Sequence, residues 1–314
     1  MKAKAYTMQA LVKYHGLKDW NLRIPYHDSI SVNTTCMYTE AEILDKEKGG
    51  IIIDGKRDDD ANRRLENVLS IMEPSLKADR LGIASSNHPK LKVKGVGFSS
   101  SAGAAITLLC YRYFNGKNPE PKELSKFSRL FAASAARSSV GGFSRLYAGS
   151  GHEDTFAVRF ADKKDMDLKI VIVPLYSDAR TEQAHKDVES SPFFRARVVS
   201  AQKRCDMVER AIISNDIDKL GELVEQDTLE LHSITMTGSS RTILMTEDSL
   251  RVIRKVREMR GEGIRAYFSM QTGPSVFINT NEENLEKVVQ NISKLGYRVL
   301  VSDVGPEASI IEQS

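Results

Sequence analysis

The chain has 314 residues, enough for one large or two ordinary domains, and its 41% hydrophobic and 28% charged content is ordinary for a globular protein. A formal net charge of only +3 argues against a dedicated nucleic-acid binder. Cys36, Cys110 and Cys205 are widely spaced with no CxxC pair, so neither a structural zinc site nor a disulfide framework is expected. No apolar run reaches the length of a membrane span, and the N-terminus leads into no signal-like apolar core. The expected location is the cytoplasm, with no metal, membrane or nucleic acid as partner.

In chain order, Ala5 to Tyr14 reads as a strand that ends in Lys13-Tyr14-His15-Gly16-Leu17-Lys18-Asp19. Two lysines around a glycine turn can gather a phosphate or a carboxylate, and can equally be solvated loop charges. Ile30 to Thr35 alternates as a second strand. Cys36 to Leu44 with Gly50 to Asp54 suggests a hairpin with a charged turn. Arg57-Asp58-Asp59-Asp60 is a helix-capping region, followed by a helix over Ala61 to Ile71. Leu81 to Ser86 and Leu91 to Val96 are short strands.

Gly95-Val96-Gly97-Phe98-Ser99-Ser100-Ser101-Ala102-Gly103 then runs into an apolar helix over Ala104 to Tyr113. A Gly/Ser turn at a helix start leaves backbone N–H groups and the positive end of the dipole for an anion, most often a phosphate. The same small residues also permit mere close packing. Pro119 to Arg137 has helical periodicity and leads into Ser134-Ala135-Ala136-Arg137-Ser138-Ser139 and Gly141-Gly142-Phe143. There Arg137 can present a fork to phosphate or carboxylate, or close a structural ion pair.

Phe156 to Phe160 and Leu168 to Leu175 read as strands, and the polar stretch Tyr176 to Glu189 as a domain boundary or mobile loop. Helices follow from Ser191, over Ile217 to His232, and over Glu247 to Glu258 with Thr246 as cap. Strands over Arg265 to Phe268 and Ser275 to Ile278 flank the turn Met270-Gln271-Thr272-Gly273-Pro274. Glu282 to Leu295 is a helix and Tyr297 to Val301 a last strand. His232, beside Leu231, reads as a packing or capping residue, and Trp20 as packing at a cleft rim. His15 and His27 sit in loops that could reach a ligand, and Arg195 and Arg197 sit near a helix start.

Taken together, these blocks resemble the GHMP superfamily of small-molecule kinases, and within it the diphosphomevalonate decarboxylase branch. Lys13-Tyr14-His15-Gly16 with Lys18-Asp19 resembles that branch's Lys-Tyr-Trp-Gly loop. Gly97-Phe98-Ser99-Ser100-Ser101-Ala102 resembles its phosphate loop, and Ser134 to Ser138 the segment whose Ser and Arg hold the substrate. Val188-Glu189-Ser190-Ser191-Pro192 and Tyr267-Phe268-Ser269-Met270 with Gly273-Pro274-Ser275 extend the match. The resemblance implies an α+β, two-domain fold. Residues 1–178 would form a ribosomal-S5-domain-2-like half with the phosphate loop, and 179–314 a ferredoxin-like half, with the site between them.

For the site, the resemblance implies Lys13, Arg137 and Gln271 as catalytic positions. Tyr14, Lys18, Ser134 and Ser138 would bind substrate, and Gly97, Ser99, Ser100 and Ser101 would form the phosphate loop. Members use ATP to phosphorylate the tertiary hydroxyl of a mevalonate ester, then expel phosphate and CO₂. Here Gln271 stands where those enzymes carry an Asp, and an amide cannot take a proton at useful pH. Met8, His15 and Leu17 replace the family's Asn, Trp and Lys, and Lys92-Val93-Lys94 is unusual for the phosphate-loop region.

Loss of the Asp with the cationic set retained suggests a substrate already phosphorylated at C3. The pattern is then similar to the ATP-independent mevalonate 3,5-bisphosphate decarboxylases of acid-loving archaea, enzymes of isoprenoid biosynthesis. No cofactor is expected on that reading. The alternatives are an ATP- and Mg²⁺-dependent decarboxylase with Asp19 or Asp28 as substitute base, a mevalonate 3-kinase, and a non-catalytic binding protein. By analogy with the family, a homodimer is expected.

Overall fold

The computed structural model describes residues 1–44, 49–176 and 185–311. Its first sheet is built on β1 (Lys2–Val12) and the fifteen-residue β4 (Ser29–Ile43), paired antiparallel. The sheet runs β14 (Ser309–Ile311), β1, β4, β7 (Gly82–His88), β5 (Gly50–Ile53), β6 (Lys56–Arg57). β8 (Phe143–Leu146) pairs with the start of β4, and β9 (Ala157–Ala161) with β8. β2 (Leu17–Asp19) and β3 (Ile24–Pro25) form a separate ribbon. Against the first sheet pack α1 (Asp59–Met72), α2 (Phe98–Asn115) and α3 (Pro121–Phe131), around buried Leu65, Leu69, Ile83, Ile106 and Leu109.

The second sheet has the order β11 (Tyr267–Met270), β12 (Val276–Thr280), β10 (Lys169–Val173), β13 (Leu300–Ser302), all antiparallel. With its helices this is the split β-α-β arrangement of a ferredoxin-like unit. α5 (Phe194–Ile213) and α6 (Ile217–Thr237) share a core with β1, β4, β10 and β12 through Val12, Ile30, Ile172, Val208, Leu220 and Phe277. α7 (Glu247–Gly261) and α8 (Glu282–Ser293) pack on the second sheet through Val252, Val256, Val288 and Ile292. β10 precedes residue 178 yet is central to the second sheet, and β14 follows it yet closes the first. Gln9 of β1 bridges the sheets: its Nε2 donates to Ser269 Oγ and Asn279 Oδ1, both at 2.8 Å.

Caps read from sequence hold. Asp58 accepts the Ala61 N–H, and Thr246 and Ser249 form a reciprocal capping pair. Three other expectations are corrected. There is no Cys36–Asp54 hairpin, because β5 lies parallel to β7 and α1 makes the crossover between them. Alternation marks a strand but does not name its partner. Leu91 to Val96 is not a strand, since Gly95 at φ +79 turns the chain out of extended geometry. The helix expected over Pro119 to Arg137 breaks at Ala132, which is extended (φ −153, ψ 130). It resumes as α4 (Ala135–Val140). Ala-rich sequence favours continuous helix, and packing overrides it. Within the stretch Tyr176 to Glu189, residues 177–184 lie outside the described residues.

The turn after β1 is held through both backbone groups of one residue. Asp227 of α6 accepts the Lys13 N–H through Oδ2 at 3.0 Å, and Arg197 Nη2 donates to the Lys13 carbonyl at 3.0 Å. Arg197 Nη2 and Arg204 Nη1 lie 2.8 and 3.2 Å from Asp227 Oδ1, and Arg204 also pairs with Glu230. Asp227 and both arginines are buried. Removing one partner of such a cluster strands the others, so Asp227→Ala should lose roughly 3–5 kcal/mol in urea unfolding. At α6 a Cβ on Gly221 would sit 2.0 Å from the Tyr267 ring. Gly221→Ala should therefore destabilise by about 1–3 kcal/mol despite its better helix propensity, measured the same way.

Candidate active site

A cavity of about 720 Å³ opens between the halves. Its wall is assembled from the turn after β1 (Lys13, Tyr14), the α1 arginines Arg63 and Arg64, the segment Val93–Ser100, the break between α3 and α4 (Ala132–Ser134), and Gln271–Thr272. Trp20, Arg23 and His185 add to it, as do the α1-side carboxylates Asp58 and Asp60, the second of which pairs with Arg63 and Arg64. The size suits a small ligand with room for a second group.

Backbone geometry explains the Gly/Ser turn before α2. Gly97 is the cap of α2 at φ +90, and a Cβ there would lie 2.9 Å from the Met8 carbonyl oxygen. Gly95 and Gly273 touch backbone to backbone, with a Cβ on Gly273 reaching 2.7 Å from Gly95 N. The helix thus starts at Phe98 rather than Ala104, and places Ser99 and Ser100 in its first turn. Both line the cavity beside Gly97, where the dipole favours an anion. Ser100 Oγ donates to Ser134 Oγ at 2.7 Å, joining the loop to the second small-residue segment. Ser101 is different: it is buried, bonded to Thr39 Oγ1 at 2.6 Å and to the Phe98 carbonyl, and does not line the cavity.

Lys13 is 5% exposed and lines the cavity. Burial, then the Arg137 guanidinium, pull its ammonium from 10.5 down to about 7, against a smaller opposite pull from Asp227. Tyr14 shields Arg137, whose guanidinium carbon is 5.6 Å from the ring centroid. Arg137 is fully buried behind that wall. It donates to the Ile30 carbonyl at 3.2 Å, while Nε and Nη2 have no hydrogen-bond partner among the described residues. Burial lowers its pKa to about 10. Gln271 lines the cavity with Nε2 donating to the Met8 carbonyl at 3.0 Å and to the Gly95 carbonyl at 3.4 Å.

Of the residues singled out from sequence, Lys13, Tyr14, Ser134, Gly97, Ser99, Ser100 and Gln271 line one cavity. Lys18 is exposed and outside it, because the β2 strand turns its side chain to solvent. Ser138 is also outside, its Oγ donating to the Tyr6 carbonyl at 2.5 Å. Asp28 cannot serve as a cavity base: it is locked to Arg145 at 2.7 Å and accepts the Ala148 N–H. Asp19 caps the Leu22 N–H and does not line the cavity. His15 and His27 are buried without lining it, and Arg197 is spent on Asp227. His232 is buried in the helix packing, as read. Sequence reasoning missed Arg23, Arg63, Arg64 and His185: the first and last lie in polar stretches and the α1 pair on a charged helix face, and their placement depends on long-range packing. Among the described residues, no group of three or more His, Cys, Asp or Glu is placed to hold a metal ion, and no helix is long and apolar enough to cross a membrane.

Two family models match the chain. A diphosphomevalonate decarboxylase-like N-terminal domain covers residues 5–157, and a mevalonate 5-diphosphate decarboxylase C-terminal domain covers 178–301. The phosphomevalonate decarboxylase of Haloferax volcanii is 34% identical, over 99% of this chain and 98% of its own. The mevalonate 3,5-bisphosphate decarboxylase of Thermoplasma volcanium is 28% identical, over 92% of this chain and 78% of its own. Among solved structures, the mevalonate diphosphate decarboxylase of Enterococcus faecalis superposes with a TM-score of 0.89 at 25% identity, covering 99% of this chain and 98% of that one. Matches at both halves, near-complete coverage and a shared architecture lead to one conclusion: the chain belongs to the diphosphomevalonate decarboxylase family, the carboxy-lyase branch of the GHMP superfamily.

Proposed function

We propose that this protein converts mevalonate 3,5-bisphosphate to isopentenyl phosphate, phosphate and CO₂ without ATP. The carrying observation is Gln271. The cavity position that holds an acid in the resembled ATP-dependent enzymes is an amide, and its NH₂ is committed to two backbone carbonyls. A substrate that arrives with its 3-hydroxyl already phosphorylated needs no base there. The C3–O bond breaks as phosphate leaves, and the C1–C2 bond breaks as CO₂ leaves. The electron pair of the latter becomes the C2–C3 double bond. The protein's task is to stabilise the departing phosphate, and Lys13, Ser99, Ser100 and the α2 N-terminus are the groups disposed for it. Lys13, near half-protonated at neutrality when the cavity is empty, regains its charge beside an anionic substrate. Arg137 reinforces that positive field from behind Tyr14.

A second reading, ATP-dependent decarboxylation of mevalonate 5-phosphate, is favoured by the width of the cavity, which runs unbroken from Lys13 to the phosphate loop and α1. The printed name of the Haloferax relative agrees with it. In that case Gln271 would leave deprotonation of the 3-hydroxyl to another group.

CO₂ release separates the two. The expected outcome is release from mevalonate 3,5-bisphosphate at equal rates with and without ATP and Mg²⁺, and none from mevalonate 5-phosphate with ATP. Release only from the latter, with ADP formed, would replace the first reading by the second. Lys13→Met tests the cationic centre. Turnover should fall about a hundredfold or more, the scale for losing a charge-stabilising donor. Stability should move the other way. The folded state holds fewer protons on Lys13 than the unfolded chain between about 7 and 10.5, so its burial penalty is full below about 7 and fades as pH rises. Lys13→Met should therefore be more stable at pH 6 by roughly 2 kcal/mol or more, with the difference shrinking toward pH 10, as read by urea unfolding.

A further inference from the structure

His185 is the histidine that lines the cavity, and the mechanism above does not use it. It is held on two sides. Its ring stacks on Tyr14 with centroids 5.6 Å apart, and its Nδ1 lies 2.9 Å from His15 Nδ1. His15 Nε2 in turn lies 3.1 Å from Thr235 Oγ1, and Thr235 Oγ1 is 2.8 Å from the Leu231 carbonyl one helical turn back.

Hydrogen counting orients this chain. The single Thr235 hydroxyl proton goes to the Leu231 carbonyl, its shorter contact, so Thr235 accepts from His15 Nε2–H. A neutral His15 protonated at Nε2 has a bare Nδ1, which must accept from His185 Nδ1–H. His185 is then left with a bare Nε2 at the ring edge away from His15. The reverse order would exchange the 2.8 Å bond of Thr235 for a 3.4 Å approach of the Gly16 N–H to His185 Nδ1, a poorer bond. The charges that act on His185 are Lys13 from the turn after β1, Arg23 after β2 and Arg64 of α1. Its own neighbour Lys186 lies over the Trp20 ring at 5.4 Å. Burial first, and then these cations, hold the imidazole neutral, with a pKa well below 6.5.

We propose that His185 is a phosphate-contacting residue that takes up a proton from solvent as a phosphomonoester enters the cavity, changing from an acceptor into a charged donor. A bare ring nitrogen facing a phosphate oxygen is repulsive. The dianion also offsets the positive field of Lys13, Arg23 and Arg64 that kept the ring neutral. Protonation of Nε2 turns the clash into a charge-assisted hydrogen bond, while Nδ1–H stays on His15. The proton returns to solvent when the phosphate leaves. Affinity then rises as pH falls between the bound and free pKa values of His185, and levels off below the free value. The inference rests on the reading that this cavity binds phosphorylated mevalonate.

The test is calorimetry with mevalonate 5-phosphate in the absence of nucleotide, in two phosphate-free buffers of different ionisation heat near pH 7. The buffer dependence of the heat counts protons. The native protein should take up more protons per ligand than His185→Gln, and the variant should bind about tenfold weaker or more, the worth of one hydrogen bond to a charged group. Lys13 contributes the uptake that remains in the variant. Thr235→Val frees His15 to give its proton to His185, so that His185 already presents Nε2–H. Its affinity should stay near native while uptake falls. Equal proton uptake by the native protein and His185→Gln would overturn the proposal and leave the cavity reading intact. No binding of mevalonate 5-phosphate by the native protein would overturn the proposal, and CO₂ release from mevalonate 3,5-bisphosphate then decides the cavity reading.

Discussion

The buried carboxylate of Asp227 is the interaction on which the site depends. It accepts the Lys13 N–H, and it balances Arg197 and Arg204. Arg197 meanwhile holds the Lys13 carbonyl. Charges taken out of water are costly unless paired and hydrogen-bonded, and here the pairing is used to fix a backbone turn. Because α5 and α6 belong to the core shared with both sheets, the turn that carries Lys13 and Tyr14 is set by the joint between the halves.

Around that fixed turn the protein buries cationic groups. Lys13 is displaced to about 7, Arg137 is sealed behind Tyr14 with two unpartnered nitrogens among the described residues, and His185 is kept neutral by burial and then by its cationic neighbours. Such an arrangement destabilises the empty protein and is relieved by an anionic ligand, a usual trade at functional sites. The α2 N-terminus adds a second positive pole without a side-chain charge, while on the α1 side Asp58 and Asp60 line the same cavity and Asp60 pairs with Arg63 and Arg64. A departing phosphate is the kind of group that such a field stabilises.

Much of the architecture was legible from local pattern. The amphipathic helices at 217–237 and 247–261, the caps Asp58 and Thr246, and the Gly/Ser turn before α2 follow from periodicity, capping chemistry and glycine geometry. Lys13, Tyr14, Ser134 and Gln271 were legible for another reason: their blocks, in order and spacing, resemble one family. Gly95 and Gly97 signalled a turn, although the carbonyl and backbone they press against lie far away in sequence.

What the chain alone determined, then, are features whose cause lies within a turn or two of the residue itself. Tertiary structure decided the rest. It split the Ala-rich helix at Ala132, where cleft walls outweigh helix propensity, and paired β5 with β7, because sheet partners are chosen by the fold's packing and not by alternation. It sent Lys18, Ser101 and Ser138 away from the cavity and brought Arg23, Arg64 and His185 into it. Side-chain direction and burial depend on contacts between residues more than a hundred positions apart, and a one-dimensional pattern carries no record of those distances.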